Sequence, residues 1–317
     1  MTRDGLMVFP FKLNKPPHGH IERILVPESL KDRVFFHTHV HKSAGHFGCQ
    51  ATIARAQHRF YWPGHTAELR KAVVTCDSCV SKTQKVNARS HGHQPLRTGY
   101  PFQVVSIDLV GPLTETNRGN KYILTCQDTY SRYVMAFAIP NKEVATVART
   151  FVDRFVCQFG APVELKSDRG KEFTGKIFSE VMQMLGIRKV NTPSYNPNSN
   201  PVERWHRTLG AMFRVFMDRE DRAWEDHLAT ACLAYNSKTN HGTGLTPYFV
   251  VFGREARLPL DLLIKLPREE DMEITDFVKQ TRKRFQSMVE YIRAQGEAQI
   301  VRNAMVYEGR ADEWKPG

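Results

Sequence analysis

Two groups of side chains in this sequence have the types and spacing that chemistry requires. In the first, His39 and His46 are separated by six residues, and Cys76 and Cys79 form a CxxC pair 29 residues further on. Two imidazoles and two thiolates complete a tetrahedral zinc shell, and a structural zinc would stabilise a segment that is otherwise short of core. His37 and His41 flank His39, so spacing alone leaves the first histidine ligand open. Cys49 reads as a core thiol at the start of a helix.

The second group is acidic. Asp108 interrupts VVSIDLV (104–110), a run that otherwise suits a buried strand. A carboxylate there is costly unless it is paired or bound to a metal. Asp168 stands in LKSDRGKEF, where a strand runs into a glycine turn, and taken alone it reads as a turn residue. Glu203 begins a helix whose apolar stripe is Val202, Trp205, Leu209, Met212 and Phe216. Glu203, His206, Arg207 and Gly210 share the opposite, polar side of that helix. One carboxylate from a strand, one from a strand end and one from a helix can together bind two Mg²⁺ ions, whose charge offsets the cost of burying them.

The elements that must position these groups follow from periodicity. After an extended lead-in, Ser29 is expected to cap a helix running to about His39, with Leu30, Val34 and Phe35 on its apolar side. CQATIARAQHRF is a second helix ending at WPG (62–64), and Thr66 is expected to cap a third, TAELRKAVV. Three such short helices bury little surface on their own. The period then changes. Residues 103–111, 121–129 and 132–139, VELKSD and RKVNT read as strands, with helices over VATVARTFVDRFVCQF (144–159) and KIFSEVMQMLG. That order predicts an α/β core with a mixed five-stranded sheet and flanking helices. The turn-rich loop SYNPNSNP (194–201) precedes two helices, VERWHRTLGAMFRVFM and WEDHLATACLAYNSK. LTPYFVVFGREARLPL reads as an irregular apolar stretch, and residues 276–295 as a long charged helix.

Composition narrows the class. The chain of 317 residues is long enough for two or three domains. No apolar run approaches the about eighteen residues of a membrane span, and MTRDGLMVFPFKLNK lacks the features of a signal peptide. Six scattered cysteines point to a reducing compartment and not to a disulfide scaffold. The net charge of +12 is that of a polyanion binder. Residues 1–95 hold 14 Lys/Arg against 6 Asp/Glu and 10 of the 13 histidines, which marks the N-terminal third as a separate unit. Its boundary falls in the polar stretch 81–99. The expected organisation is an N-terminal extension (1–24), a zinc-binding helical domain (25–85), a linker (86–99), a catalytic core (100–262) and a helical linker (263–317).

From roughly residue 20 onward the sequence resembles the integrases of gypsy-type LTR retrotransposons, relatives of retroviral integrases. AGHFG, RFYWPG, CDSC, IDLVGPL, SDRGKEF, NPVERWHRTL and FGREARLPL fall in the family's order. The resemblance implies that His39, His46, Cys76 and Cys79 are the structural zinc ligands of an HHCC module. It implies that Asp108, Asp168 and Glu203 are a catalytic D,D,E triad holding two Mg²⁺ or Mn²⁺ ions on a ribonuclease H-like core. The implied activity is polynucleotidyl transfer: processing of retroelement DNA ends, then strand transfer into target DNA. The implied partners are DNA and further copies of the chain, a tetramer or larger on DNA. The implied setting is the nucleus at integration and a cytoplasmic particle before it, with a polyprotein as a possible source. Tyr195, Asn200 and His206 are candidates for positioning DNA, and Lys166, Arg169, Lys171, Arg204 and Arg207 for contacting phosphates.

The departures are specific. The spacing of 34 residues between Asp168 and Glu203 is one shorter than the family's usual one. Pro201 stands in place of a glycine-containing stretch, so the loop before Glu203 is expected to be stiffer. His206 replaces the family's asparagine, and Gly210 a frequently basic residue. The chain stops at EWKPG, where the family continues into a small barrel, so it is expected to fold and bind DNA but to join strands poorly. A second reading is a host-adopted integrase that binds DNA or chromatin with weak or no catalysis. A third, a nuclease of the same superfamily, is disfavoured by the HHCC set.

Overall fold

The computed structural model describes residues 2–3, 6–13, 19–82, 98–191, 202–216, 224–240, 243–259, 261, 281–292 and 294. The extended lead-in forms a small sheet. Strands β1 (Thr2–Arg3), β2 (Leu6–Leu13) and β3 (Gly19–Leu25) make an antiparallel meander, and β3 then pairs in parallel with β4 (Phe60–Tyr61). The hairpin thus packs onto the helical module across the boundary expected at residues 24 and 25.

Between β3 and β4 the chain makes a 3-10 turn (Glu28–Leu30), α1 (Lys31–Phe35), a wide π-turn (Phe36–Val40), a second 3-10 turn (Lys42–Ala44) and α2 (Cys49–Gln57). Helices α3 (His65–Val74) and α4 (Asp77–Lys82) follow β4. Both expected caps are corrected. Ser29 lies inside the first 3-10 turn, which Pro27 starts early, and α1 begins without a side-chain cap. Thr66 lies within α3, which begins from Gly64 at φ +81°. That left-handed entry favours glycine, and Thr66 Oγ1 instead accepts a hydrogen bond from Gln57 Nε2 at 3.3 Å. A small core of Ile24, Val34, Ile53, Phe60, Trp62 and Leu69 holds the module together.

The second unit is a five-stranded sheet. Its strands are β5 (Val104–Val110), β6 (Tyr122–Asp128), β7 (Val134–Ile139), β8 (Glu164–Ser167) and β9 (Arg188–Asn191), in the order β7-β6-β5-β8-β9. Strands β7, β6 and β5 are antiparallel, whereas β5, β8 and β9 are parallel, so the sheet is mixed as the sequence predicts.

One face of the sheet, with Val105, Ile107, Leu124 and Leu165, packs on the helices after β7 and β8. These are α5 (Val144–Phe151), running through a π-turn (Val152–Val156) into α6 (Cys157–Phe159), then α7 (Lys171–Thr174) and α8 (Lys176–Met184). The other face, with Ile123 and Val134, meets α9 (Val202–Phe216) and α10 (Trp224–Asn236). Val202, Trp205, Leu209 and Met212 are buried there, which is the apolar stripe read from the spacing. Alternation along β5 sends Val105 and Ile107 to the first face and Asp108 to the α9 face.

The apolar stretch after α10 is not irregular throughout. It contains α11 (Pro247–Phe252), capped by Thr246, whose Oγ1 accepts from Phe249 N at 3.0 Å, with Pro247 in its first turn. The charged helix expected over 276–295 is described over 281–292, where Phe285 and Met288 pack on Tyr130, Leu245 and Phe249.

The two units share a tight seam. Arg55 on α2 is buried and donates to Ala44 O at 2.7 Å, to Ala234 O at 3.1 Å and to Ser237 Oγ at 3.1 Å. Arg59 forms a bidentate pair with buried Asp261. Gly45, at φ +74°, lies against α9 and α10, and a Cβ there would stand 3.0 Å from Met212 Cε and 3.1 Å from Ala234 Cβ.

Candidate metal centres

His39, His46, Cys76 and Cys79 converge from the π-turn after α1, the loop before α2 and the start of α4. Their four ligand atoms lie within 4.8 Å of one another. Cys79 Sγ is 3.4 Å from His39 Nε2 and 3.6 Å from His46 Nδ1, and Cys76 Sγ is 3.7 Å from His46 Nδ1. With zinc–sulfur bonds of about 2.3 Å and zinc–nitrogen bonds of about 2.0 Å, the tetrahedral S···N edge is about 3.5 Å. The residues present therefore fit zinc, and the choice among three histidines resolves to His39. His41 faces elsewhere, its Nδ1 accepting from Ser43 N at 3.2 Å. Cys49 packs beside the module's core.

A residue that spacing did not flag orients His39. The Thr52 hydroxyl donates to Phe47 O at 3.0 Å, so its oxygen is left to accept from His39 Nδ1 at 3.1 Å. That fixes the tautomer and leaves Nε2 for the metal, the usual outer-shell arrangement of a ligating histidine. Burial, with His46 nearby, pushes the His39 imidazole down to about 4, so the ring stays neutral as a ligand must. Burial and the neighbouring Cys76 push the Cys79 thiol up to about 12. A cation is what would make thiolates stable in that setting.

The acidic group is arranged differently. Asp108 lies in the second half of β5, where the strand emerges from the core, and its side chain is 21% exposed. The full burial read from VVSIDLV is corrected: Val105, Ser106 and Ile107 are buried, whereas Asp108, Leu109 and Val110 are half-buried. Its Oδ1 accepts from Leu109 N at 2.8 Å. Asp168 is exposed one residue past β8, and its Oδ1 accepts from Gly170 N at 3.0 Å, the turn role expected of it alone. The register nevertheless relates the two. Ser106 pairs with Lys166 across parallel β5 and β8, and each segment carries its aspartate two residues later. Adjacent strands are about 4.8 Å apart. Glu203 lies in the first turn of α9, one turn before His206.

His206 is half-buried against this end of the sheet. Its Nε2 is 3.1 Å from Thr125 Oγ1, and its Nδ1 is 3.7 Å from Asp108 Oδ2. Burial lowers its pKa to about 4. Among the phosphate-contact candidates, Arg169, Lys171, Arg204 and Arg207 are exposed. Lys166 is drawn in, 12% exposed, and paired with Glu164 at 3.3 Å. Tyr195 and Asn200 lie outside the described residues. Another carboxylate of the sheet, Asp128, is fully buried and spent on structure, accepting from Phe102 N at 2.9 Å and Ser131 N at 2.7 Å.

The chain is similar to known proteins along both units. The integrase zinc binding domain matches residues 26–85, and the integrase core domain matches residues 100–197. The Gypsy retrotransposon integrase-like protein 1 of Homo sapiens is 25% identical over 236 residues, which cover 74% of this chain and 45% of that protein. The retrovirus-related Pol polyprotein from transposon 412 of Drosophila melanogaster is 27% identical over 251 residues, 79% of this chain and 20% of that protein. The chain thus spans less than half the length of these relatives. Among solved structures, the catalytic core domain of BIV integrase is 27% identical with a TM-score of 0.38, covering 48% of this chain and 95% of that one. A zinc-binding domain match carrying the HHCC set thus precedes a core domain match on the mixed five-stranded sheet, and along these two stretches the chain is similar to integrases.

Proposed function

We propose that this chain is a metal-dependent DNA polynucleotidyl transferase that processes retroelement DNA ends and inserts them into target DNA. The observation that carries this reading is the parallel pairing of Ser106 with Lys166, two residues before Asp108 and Asp168, with His206 of α9 facing Asp108. Carboxylates so placed suit oxygen-ligated cations. In this proposal Asp108, Asp168 and Glu203 would hold two Mg²⁺ or Mn²⁺ ions. The chemistry such a pair supplies is activation of an attacking oxygen and stabilisation of the leaving one during in-line displacement at phosphorus. The nucleophile is water in end processing and a DNA 3′-hydroxyl in strand transfer.

The chain's own side chains do the rest. Exposed Arg169, Lys171, Arg204 and Arg207 neutralise phosphates flanking the reacting one, which orients DNA without reading its sequence. Lys166, paired with Glu164, braces the strand that delivers Asp168. His39, His46, Cys76 and Cys79 hold a zinc ion that fixes the N-terminal module against α10. On this reading the chain acts on DNA ends as a homo-oligomer, a tetramer or larger, in the nucleus.

An oligonucleotide assay tests the proposal. Labelled duplex ends incubated with the chain and Mg²⁺ or Mn²⁺ should give products longer than the input, and Asp168→Asn should remove them. DNA binding without joining would favour the reading as a non-catalytic DNA- or chromatin-binding derivative, and cutting without joining would favour a nuclease.

A further inference from the structure

We propose that His206 is a nitrogen ligand to the cation held by Asp108, so that this site selects Mn²⁺ or another first-row divalent ion over Mg²⁺. The inference rests on the reading above that Asp108 binds a cation.

Asp108 on β5 and Thr125 on β6 are direct cross-strand partners, so their side chains stand together on the α9 face. His206 descends over that pair from α9. Its Nε2 lies 3.1 Å from Thr125 Oγ1, which fixes the ring, and its Nδ1 faces Asp108 Oδ2 at 3.7 Å. A separation of 3.7 Å is too long for a hydrogen bond. It falls within the span of two atoms bound to one ion: at bond lengths of about 2.1 Å, such atoms lie about 3.0 Å apart at right angles and about 4.2 Å apart when opposite.

The zinc module holds the same arrangement. There Thr52 Oγ1 takes His39 Nδ1 at 3.1 Å, and His39 Nε2 faces Cys79 Sγ at 3.4 Å. Thr52 and Thr125 are both fully buried. In each case a buried hydroxyl claims one ring nitrogen and the other is presented to an anionic ligand, which is how outer-shell groups aim metal-bound imidazoles. The tautomer that this proposal requires has Nε2–H donating to Thr125, which leaves the Nδ1 lone pair for the ion. Imidazole is a good ligand for transition ions, whereas Mg²⁺ favours oxygen and water. An asparagine at this position would offer only an amide oxygen, so histidine changes the metal that the site prefers.

Pulsed electron paramagnetic resonance on the full, zinc-loaded chain with Mn²⁺ alone as probe tests this. Zinc loading keeps His39 and His46 occupied, so they contribute no signal. The expected result is a nitrogen coupling from one imidazole on a Mn²⁺ ion whose binding is lost in Asp108→Asn. His206→Asn should remove the coupling and raise the Mn²⁺ Kd at least about tenfold, while Thr125→Val should keep the coupling with weaker binding. Bound Mn²⁺ that depends on Asp108 but shows no nitrogen coupling would overturn the ligand assignment and leave the proposed function standing. Absence of any Asp108-dependent Mn²⁺ binding would overturn both. The wild-type spectrum is decisive by itself, so a variant that misfolds does not blunt the test.

Discussion

In the N-terminal module four ligand atoms already stand within 4.8 Å, with Thr52 holding the His39 ring in register behind them. At the sheet end, Asp108 and Asp168 each accept a hydrogen bond from their own backbone neighbourhood, one half-buried and one exposed. The first site supplies four ligands, which complete a tetrahedral shell and leave no position for a substrate. The second is open, and on the proposed function its carboxylates would come together only as cations and DNA arrive. Closed tetrahedral sites stabilise folds, whereas sites that leave positions for water or substrate do chemistry. On the proposed function the same chain would use metal in two ways, and each can be broken separately.

The largest expected effect is on the zinc side. Structural zinc supplies roughly 10 kcal/mol of folding free energy in small modules, and the core of Ile24, Val34, Ile53, Phe60, Trp62 and Leu69 is small. Chelation, or Cys76→Ser with Cys79→Ser, should abolish cooperative structure over residues 26–82 while the five-stranded unit stays folded. Amide exchange followed by mass spectrometry would read both regions at once. A module that keeps its protection without zinc would erase the contrast.

On the acidic side, Asp108→Asn should cut strand transfer on the order of 10³-fold. Thermal stability should stay the same or rise, because the substitution removes charge from a half-buried carboxylate. A large loss of stability would show that Asp108 is structural in the way that Asp128 is. Next in size is the seam. Gly45→Ala adds a Cβ at φ +74° against Met212 and Ala234 and should cost about 1–3 kcal/mol in unfolding measurements. The smallest effect is in the outer shell: Thr52→Val should weaken zinc by roughly 10–100-fold without unfolding the zinc-saturated chain. A competition titration against a chelator of known affinity would measure it.

What was legible in the sequence follows the range of the interactions involved. The strands of the core unit and the buried stripe of α9 are local period signals, and the structure carries them. The His and Cys spacing pointed to a set that the structure gathers, although only packing separates His39 from His37 and His41. The hairpin of β2 and β3 was hidden because β3 finds its partner in Phe60–Tyr61, beyond two helices. Ser29 and Thr66 resembled caps, but Pro27 and Gly64 set the chain entry first. Thr246 followed by Pro247 is a helix-start signal that the surrounding apolar run masks. Thr52 and Thr125 carry no sequence signal, since each acquires its role from a histidine brought near by the fold.

The most direct test of the account combines both centres in one experiment. A single zinc-loaded preparation is freed of other divalent ions, mixed with labelled DNA ends and target DNA, and started with Mn²⁺, alongside an equally folded Asp108→Asn sample. The account predicts that zinc-loaded wild-type chain binds DNA but joins nothing until Mn²⁺ is added, and that Asp108→Asn binds DNA but joins on the order of 10³-fold less. Joining without added Mn²⁺, or joining of equal yield by Asp108→Asn, would contradict it.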